Sequence, residues 1–134
     1  MTQLVMLVED ERHISQVVER RLVAAGFEVV VARDGVQALE FAADRTPDAI
    51  VTDLEMPRMN GLELLAKLHD DPALATIPTM MLTARGHLAG KDGVPDDVQV
   101  FAKPFSARKL VEAIAAMLAS DHGEASSSSG RAAA

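Results

Sequence analysis

Leu4-Val5-Met6-Leu7-Val8-Glu9-Asp10 opens the chain with five apolar residues and closes on two acids. A short apolar run with no polar alternation is the pattern of a β-strand covered on both faces. Such a strand needs layers above and below it, and the sequence supplies them in alternation. After Glu11, the apolar residues Ile14, Val17, Val18, Leu22 and Ala25 recur at helical spacing, and Gly26 stands where a left-handed cap ends a helix. Residues 27–31 are β-branched and apolar, which predicts a second strand. Asp34-Gly35 then opens a second helix, capped by Asp34, with Val36, Leu39, Ala42 and Ala43 read as its inner face.

The same alternation runs to the end of the patterned region. Residues 48–52 predict a third strand, 53–60 a loop of turn residues, and 61–69 a helix carrying Leu62, Leu65 and Leu68. Residues 79–82 predict a fourth strand and 98–102 a fifth. Between them Gly86, Gly90, Gly93 and Pro95 oppose helix formation, so a fourth helix there is expected to be short or irregular. Ser106 then caps a last amphipathic helix with Leu110, Val111, Ile114, Met117 and Leu118. Strands alternating with helices imply an α/β fold, a doubly wound parallel sheet with helices on both faces. The expected organisation is one domain over residues 1–119 and a flexible low-complexity tail over 120–134, whose serine run offers little apolar surface to offset chain entropy.

Composition narrows the function. A formal net charge of -7 disfavours direct contact with nucleic acid, which depends on Lys and Arg. No apolar run approaches the ~18 residues of a membrane span, and the first residues lack the pattern of an export signal, so a cytoplasmic location is expected. The absence of cysteine removes disulfides and thiolate metal sites from consideration. His13, His69, His87 and His122 form no pair at metal-ligand spacing, and the methionines are read as packing residues.

In doubly wound sheets ligands gather beyond the carboxyl ends of the strands. There the sequence places Glu9 and Asp10, Asp53, Thr83 and Lys103. Singly each has an ordinary explanation, such as a helix cap for Asp10 or a solvated side chain for Lys103. Together they form a complementary set. Clustered carboxylates repel unless a divalent cation neutralises them, and magnesium suits an all-oxygen site. A carboxylate that attacks phosphorus must approach an anion, which a cation and a lysine assist, while a threonine hydroxyl can donate to a phosphoryl oxygen.

Four blocks carrying these residues resemble response-regulator receiver domains: Val8-Glu9-Asp10-Glu11, the loop from Thr52-Asp53-Leu54-Glu55 through Met56-Pro57-Arg58-Met59-Asn60-Gly61, Leu82-Thr83-Ala84-Arg85, and Lys103-Pro104-Phe105. The resemblance covers residues 4–119. It implies a flavodoxin-like five-stranded sheet in the order 2-1-3-4-5 and a single-domain, chemotaxis-regulator-like switch that is not an enzyme in its own right. Asp53 is then the acceptor of a phosphoryl group from a histidine kinase or phosphotransfer protein. Glu9, Asp10 and Asp53, with the backbone carbonyl of Glu55, hold magnesium, and Thr83 and Lys103 bind the phosphoryl group. The resemblance also implies a cis peptide before Pro104 and places Glu55 and Arg85 at two variable positions flanking the site, where they are either an ion pair that would slow hydrolysis of the acyl phosphate or two solvated side chains. With no second globular domain readable after residue 119, the expected role is a stand-alone regulator of a protein target.

One position departs from the family. The aromatic usually found three residues before the lysine is Val100 here, and Phe101 follows it. Side chains alternate along a strand, so Phe101 is expected on the face opposite Val100, which puts the usual threonine-aromatic coupling in question. Two other readings compete. A haloacid-dehalogenase-like phosphatase also forms an aspartyl phosphate, but that family places its nucleophile after the first strand of its core and needs a cap or a longer chain. An interaction module with this fold but no dependence on phosphorylation is the second.

Overall fold

The computed structural model describes residues 2–56, 58–83, 98–103 and 106–127, with side chains as far as Ala119. Five strands, β1 (Leu4–Val8), β2 (Glu28–Ala32), β3 (Ala49–Asp53), β4 (Thr79–Thr83) and β5 (Gln99–Ala102), alternate with helices α1 (Arg12–Ala24), α2 (Gly35–Asp44), α3 (Gly61–Asp70) and α4 (Ala107–Ser127). All neighbouring strands pair in parallel, in the order β2-β1-β3-β4-β5. The burial of each strand follows its place. Every residue of β1, β3 and β4 is buried, whereas the edge strands β2 and β5 keep exposed positions.

Alternation divides the core into two layers. Val5, Leu7, Val51, Met80 and Leu82 pack on one face with Val18 and Leu22 of α1 and Leu110, Ile114 and Leu118 of α4. Met6, Val8 and Ile50 pack on the other with Ala38 and Ala42 of α2 and Leu64 and Leu68 of α3. Next to them on that face, Leu54, Leu65, Met81 and Val98 form a smaller cluster that takes in Val100, while Phe101 joins the α1–α4 layer. The expected division of Val100 and Phe101 between opposite faces is therefore present.

Some helix faces differ from the sequence reading. Val36, expected to face inward, is 45% exposed, and Val17 is 47% exposed. In α2 the inner stripe is set by Ala38 and Ala42, and a residue two before Ala38 lies about half a turn away on a 3.6-residue helix. α1 ends as expected, with Gly26 at φ +99°, a conformation open to glycine. α4 runs on to Ser127, past residue 119 where order is expected to fade. Once a helical turn is anchored by packing, propagation adds a hydrogen bond per residue without requiring further apolar burial. The expected fourth helix before β5, Arg85, and the cis peptide at Pro104 lie outside the described residues.

Candidate phosphoacceptor and metal site

At their carboxyl ends, β1 and β2, β3 and β4, and β4 and β5 are tied by backbone hydrogen bonds that continue past the strands. Glu9 N donates to Ala32 O at 2.9 Å, Leu54 N to Leu82 O at 2.7 Å, and Lys103 N to Thr83 O at 2.8 Å. These bonds hold Glu9, Asp53, Thr83 and Lys103 at one edge, each at or just after the end of its strand. Glu9 is 1% exposed, Asp53 2% and Thr83 0%.

Within this pocket Glu9, Asp10 and Asp53 bring one carboxylate oxygen each to within 4.8 Å of one another. Lys103 Nζ donates to Asp53 Oδ2 at 3.0 Å and lies 3.4 Å from Glu9 Oε1. Glu9 Oε2 accepts from Glu11 N at 3.1 Å. That leaves Glu9 Oε1 and Asp53 Oδ1 buried without a hydrogen bond. Buried oxygens without donors are costly, and a hard divalent cation that accepts carboxylate ligands satisfies them. The donor set thus fits magnesium. Asp10 remains available to it, because α1 is capped at Glu11 with no side-chain cap bond, so Asp10 is not the helix cap.

The electrostatics follow from burial. Desolvation, then the charge of Asp53, pushes the Glu9 carboxyl up to about 7 from an ordinary 4.5. Burial likewise raises Asp53, opposed by the hydrogen bond and charge of Lys103. Burial alone would lower Lys103, but its contacts with Asp53 and Glu9 outweigh this and hold its pKa above the usual lysine value. One lysine thus faces two carboxylates that burial has made reluctant to ionise.

Thr83 Oγ1 donates to Glu55 Oε2 at 2.7 Å. The Glu55 side chain therefore lies beside the threonine, and the three converging carboxylates are those of Glu9, Asp10 and Asp53. The loop between Asp53 and α3 is shaped by features that the sequence reading did not single out. Asn60 and Glu63 form a reciprocal capping box, legible in principle as a capping residue followed three positions later by Glu. Gly61 N donates to Leu54 O at 2.9 Å, and a Cβ at Gly61 would sit 2.7 Å from Asp53 O. Gly61→Ala is accordingly expected to cost about 1–3 kcal/mol through overpacking against that backbone. Urea unfolding should register it, and an unchanged midpoint would contradict the close approach.

Residues 5–115 match the response regulator receiver domain family. The chain belongs to that family. It is a receiver domain of two-component response regulators, a signalling domain and not an enzyme of the ordinary kind. It is similar to the response regulator MprA of Mycobacterium leprae, 38% identical over 121 residues, covering 85% of this chain and 50% of that protein. The chain spans about half the length of the curated relatives it matches. Among solved structures it resembles the receiver domain of the sensor histidine kinase PA1611 from Pseudomonas aeruginosa (TM-score 0.78, 25% identity, covering 89% of this chain and 99% of that one), which has a magnesium ion coordinated in its active-site cleft. It also resembles the chemotaxis protein CheY4 of Vibrio cholerae (TM-score 0.72, 29% identity, covering 85% and 97%). The phosphatase reading finds no support in this receiver, whose candidate nucleophile ends the third strand and not the first. No described helix is long and apolar enough to cross a membrane.

Proposed function

We propose that this receiver accepts a phosphoryl group on Asp53 from the phosphohistidine of a histidine kinase or phosphotransfer protein, and passes the change to a downstream protein target in the cytoplasm. The observation that carries the reading is the pair of buried oxygens without a hydrogen bond, Glu9 Oε1 and Asp53 Oδ1, on two carboxylates that share the lysine Lys103. Glu9, Asp10 and Asp53, with the carbonyl of Glu55, would hold magnesium, which when bound supplies the positive charge that lets two anions approach. We assign residues 1–119 to the receiver unit.

The residues divide the work. An Asp53 carboxylate oxygen attacks phosphorus, the P–N bond breaks, and its electron pair stays on the departing imidazole. Lys103, already 3.0 Å from Asp53, exchanges that contact for a phosphoryl oxygen as the carboxylate charge is consumed in the new bond. Thr83 gives up Glu55 and donates to another phosphoryl oxygen. Thr83 ends β4, so its movement is transmitted to the chain that follows. Phe101 packs in the opposite layer, so the signal leaves through Thr83 and the neighbouring Val100 and Met81, without an aromatic moving beside the threonine.

Mass spectrometry after treatment with acetyl phosphate and magnesium tests the proposal directly. Addition of one phosphoryl group, labile to hydroxylamine, is expected; an unmodified protein would overturn it. Thr83→Ala is expected to keep phosphoryl uptake while losing the phosphorylation-dependent chemical-shift changes at the β4 and β5 residues Met81 and Val100. Its cost in stability should be about 1 kcal/mol, the net value of one hydrogen bond. Full retention of those shifts would remove Thr83 from the switch.

A further inference from the structure

Arg58 is the only non-glycine among the described residues with a left-handed backbone, at φ 67°. A side chain with a Cβ is disfavoured there, and arginine brings no local hydrogen bonding of the kind that lets asparagine tolerate it. Its guanidinium is engaged elsewhere. It pairs with Asp34 Oδ2, and the Asp34 side chain is 9% exposed while that of Arg58 is 65% exposed. Asp34 is itself fixed, because its Oδ1 accepts from Gln37 N at 2.8 Å as the cap of α2. The hydrogen bond from Gln37 N, then that from Arg58, holds the Asp34 carboxyl below the usual range.

The next residue on each side repeats the contact. A Cβ at Gly35 would lie 2.7–2.9 Å from Met59, so glycine there admits the methionine against the start of α2. Two successive residues before and at the start of α2 thus receive two successive residues of the loop that follows Asp53. At its return end the same loop is pressed by Gly61 onto the carbonyl of Asp53. The loop is held at its tip by α2 and at its base by the acceptor's own backbone.

We propose that Asp34 and Arg58 are positioning residues for the cation and phosphoryl site: their ion pair anchors the loop after Asp53 to α2, so that Asp53 and Glu55 keep their places when the pocket takes up an ion. The inference rests on the function proposed above. Neither residue touches the reacting atoms, and their effect is transmitted through the loop backbone.

Arg58→Gly separates positioning from stability, because glycine adopts at little cost the positive φ that is disfavoured for arginine. The variant is expected to melt at or above the wild-type temperature while its magnesium dissociation constant, measured by calorimetry, rises about fivefold, within the range of coupling through a packed network. Phosphoryl uptake from acetyl phosphate should slow by the same factor at subsaturating magnesium and recover at saturation. Asp34→Asn keeps an oxygen for the α2 cap and should show the same loss. The double variant should be no weaker than either single, as expected if both act through one contact. Magnesium affinity within about twofold of wild type in either single variant, or additive losses in the double, would overturn the proposal. If the wild-type protein itself binds no magnesium and takes no phosphoryl group, the underlying function fails instead.

Discussion

Asp53→Asn is expected to take up no phosphoryl group from acetyl phosphate, while remaining folded. Asparagine has nearly the shape of aspartate but offers an amide, whose lone pairs are delocalised and whose oxygen carries no full charge to attack phosphorus. None of the other carboxylates stands in for it. Glu9 is 1% exposed and bound through Oε2 to the Glu11 amide, and Asp10 is on the exposed side. The stability effect is the control. Removing one partner of a buried ion pair commonly costs about 3–5 kcal/mol, because the other charge is stranded. Lys103 is not stranded here, since Glu9 Oε1 lies 3.4 Å from Nζ. The variant should therefore lose less than that amount. Intact-mass measurement alongside urea unfolding checks both parts. Phosphoryl uptake by the folded variant would move the acceptor elsewhere; a variant that unfolds outright would show that Lys103 depends on Asp53 alone.

The site was legible because each of its parts directly follows or ends a strand, and strands buried on both faces announce themselves as apolar runs. Leu4–Val8 and Ala49–Asp53 point to Glu9 and Asp53, and Thr79–Thr83 ends on the threonine itself. The Asp34 cap and the Gly26 stop were legible for a similar reason, since their partners lie within a few residues. What escaped were contacts between loops distant in sequence. Asp34 reads as a cap through one oxygen, but its second oxygen carries Arg58, 24 residues away. Thr83 reads as a hydrogen-bond donor to a phosphoryl oxygen, but its hydroxyl rests on Glu55, 28 residues away. No periodicity encodes such pairs, because they depend on how two strand-end loops meet after the sheet is assembled. On α2, Leu39 and Ala42 face inward as expected, while Val36 and Ala43 do not, for a different reason. Valine outranks alanine in any apolar count, yet the close approach of helix and sheet admits Ala38 and Ala42 and leaves Val36 outside.

Glu9→Gln is expected to stabilise the metal-free protein and at the same time disable it. In the wild type the folded state holds a proton on Glu9 up to about 7, whereas an unfolded glutamate releases it near 4.5. Asp53 is raised as well, so the titration belongs to the two carboxylates together. Between those pH values the folded protein binds more protons than the unfolded chain, and its stability falls as pH rises. The full Glu9 shift corresponds to a loss on the order of 3 kcal/mol across that window. Glutamine has no proton to lose there, so the variant should keep only the slope that buried Asp53 contributes and show a higher melting temperature at neutral pH. Magnesium should reverse the comparison. It binds the ionised carboxylates and therefore stabilises the wild type most at the upper end of the window, where the metal-free protein is weakest. With one ligand charge gone, affinity should fall by about tenfold or more, and phosphoryl uptake with it. Melting temperatures at several pH values, with and without magnesium, test both halves. A wild-type profile that rises with pH in the absence of metal would show that Glu9 is ionised without strain. The cluster would then need no cation to balance it.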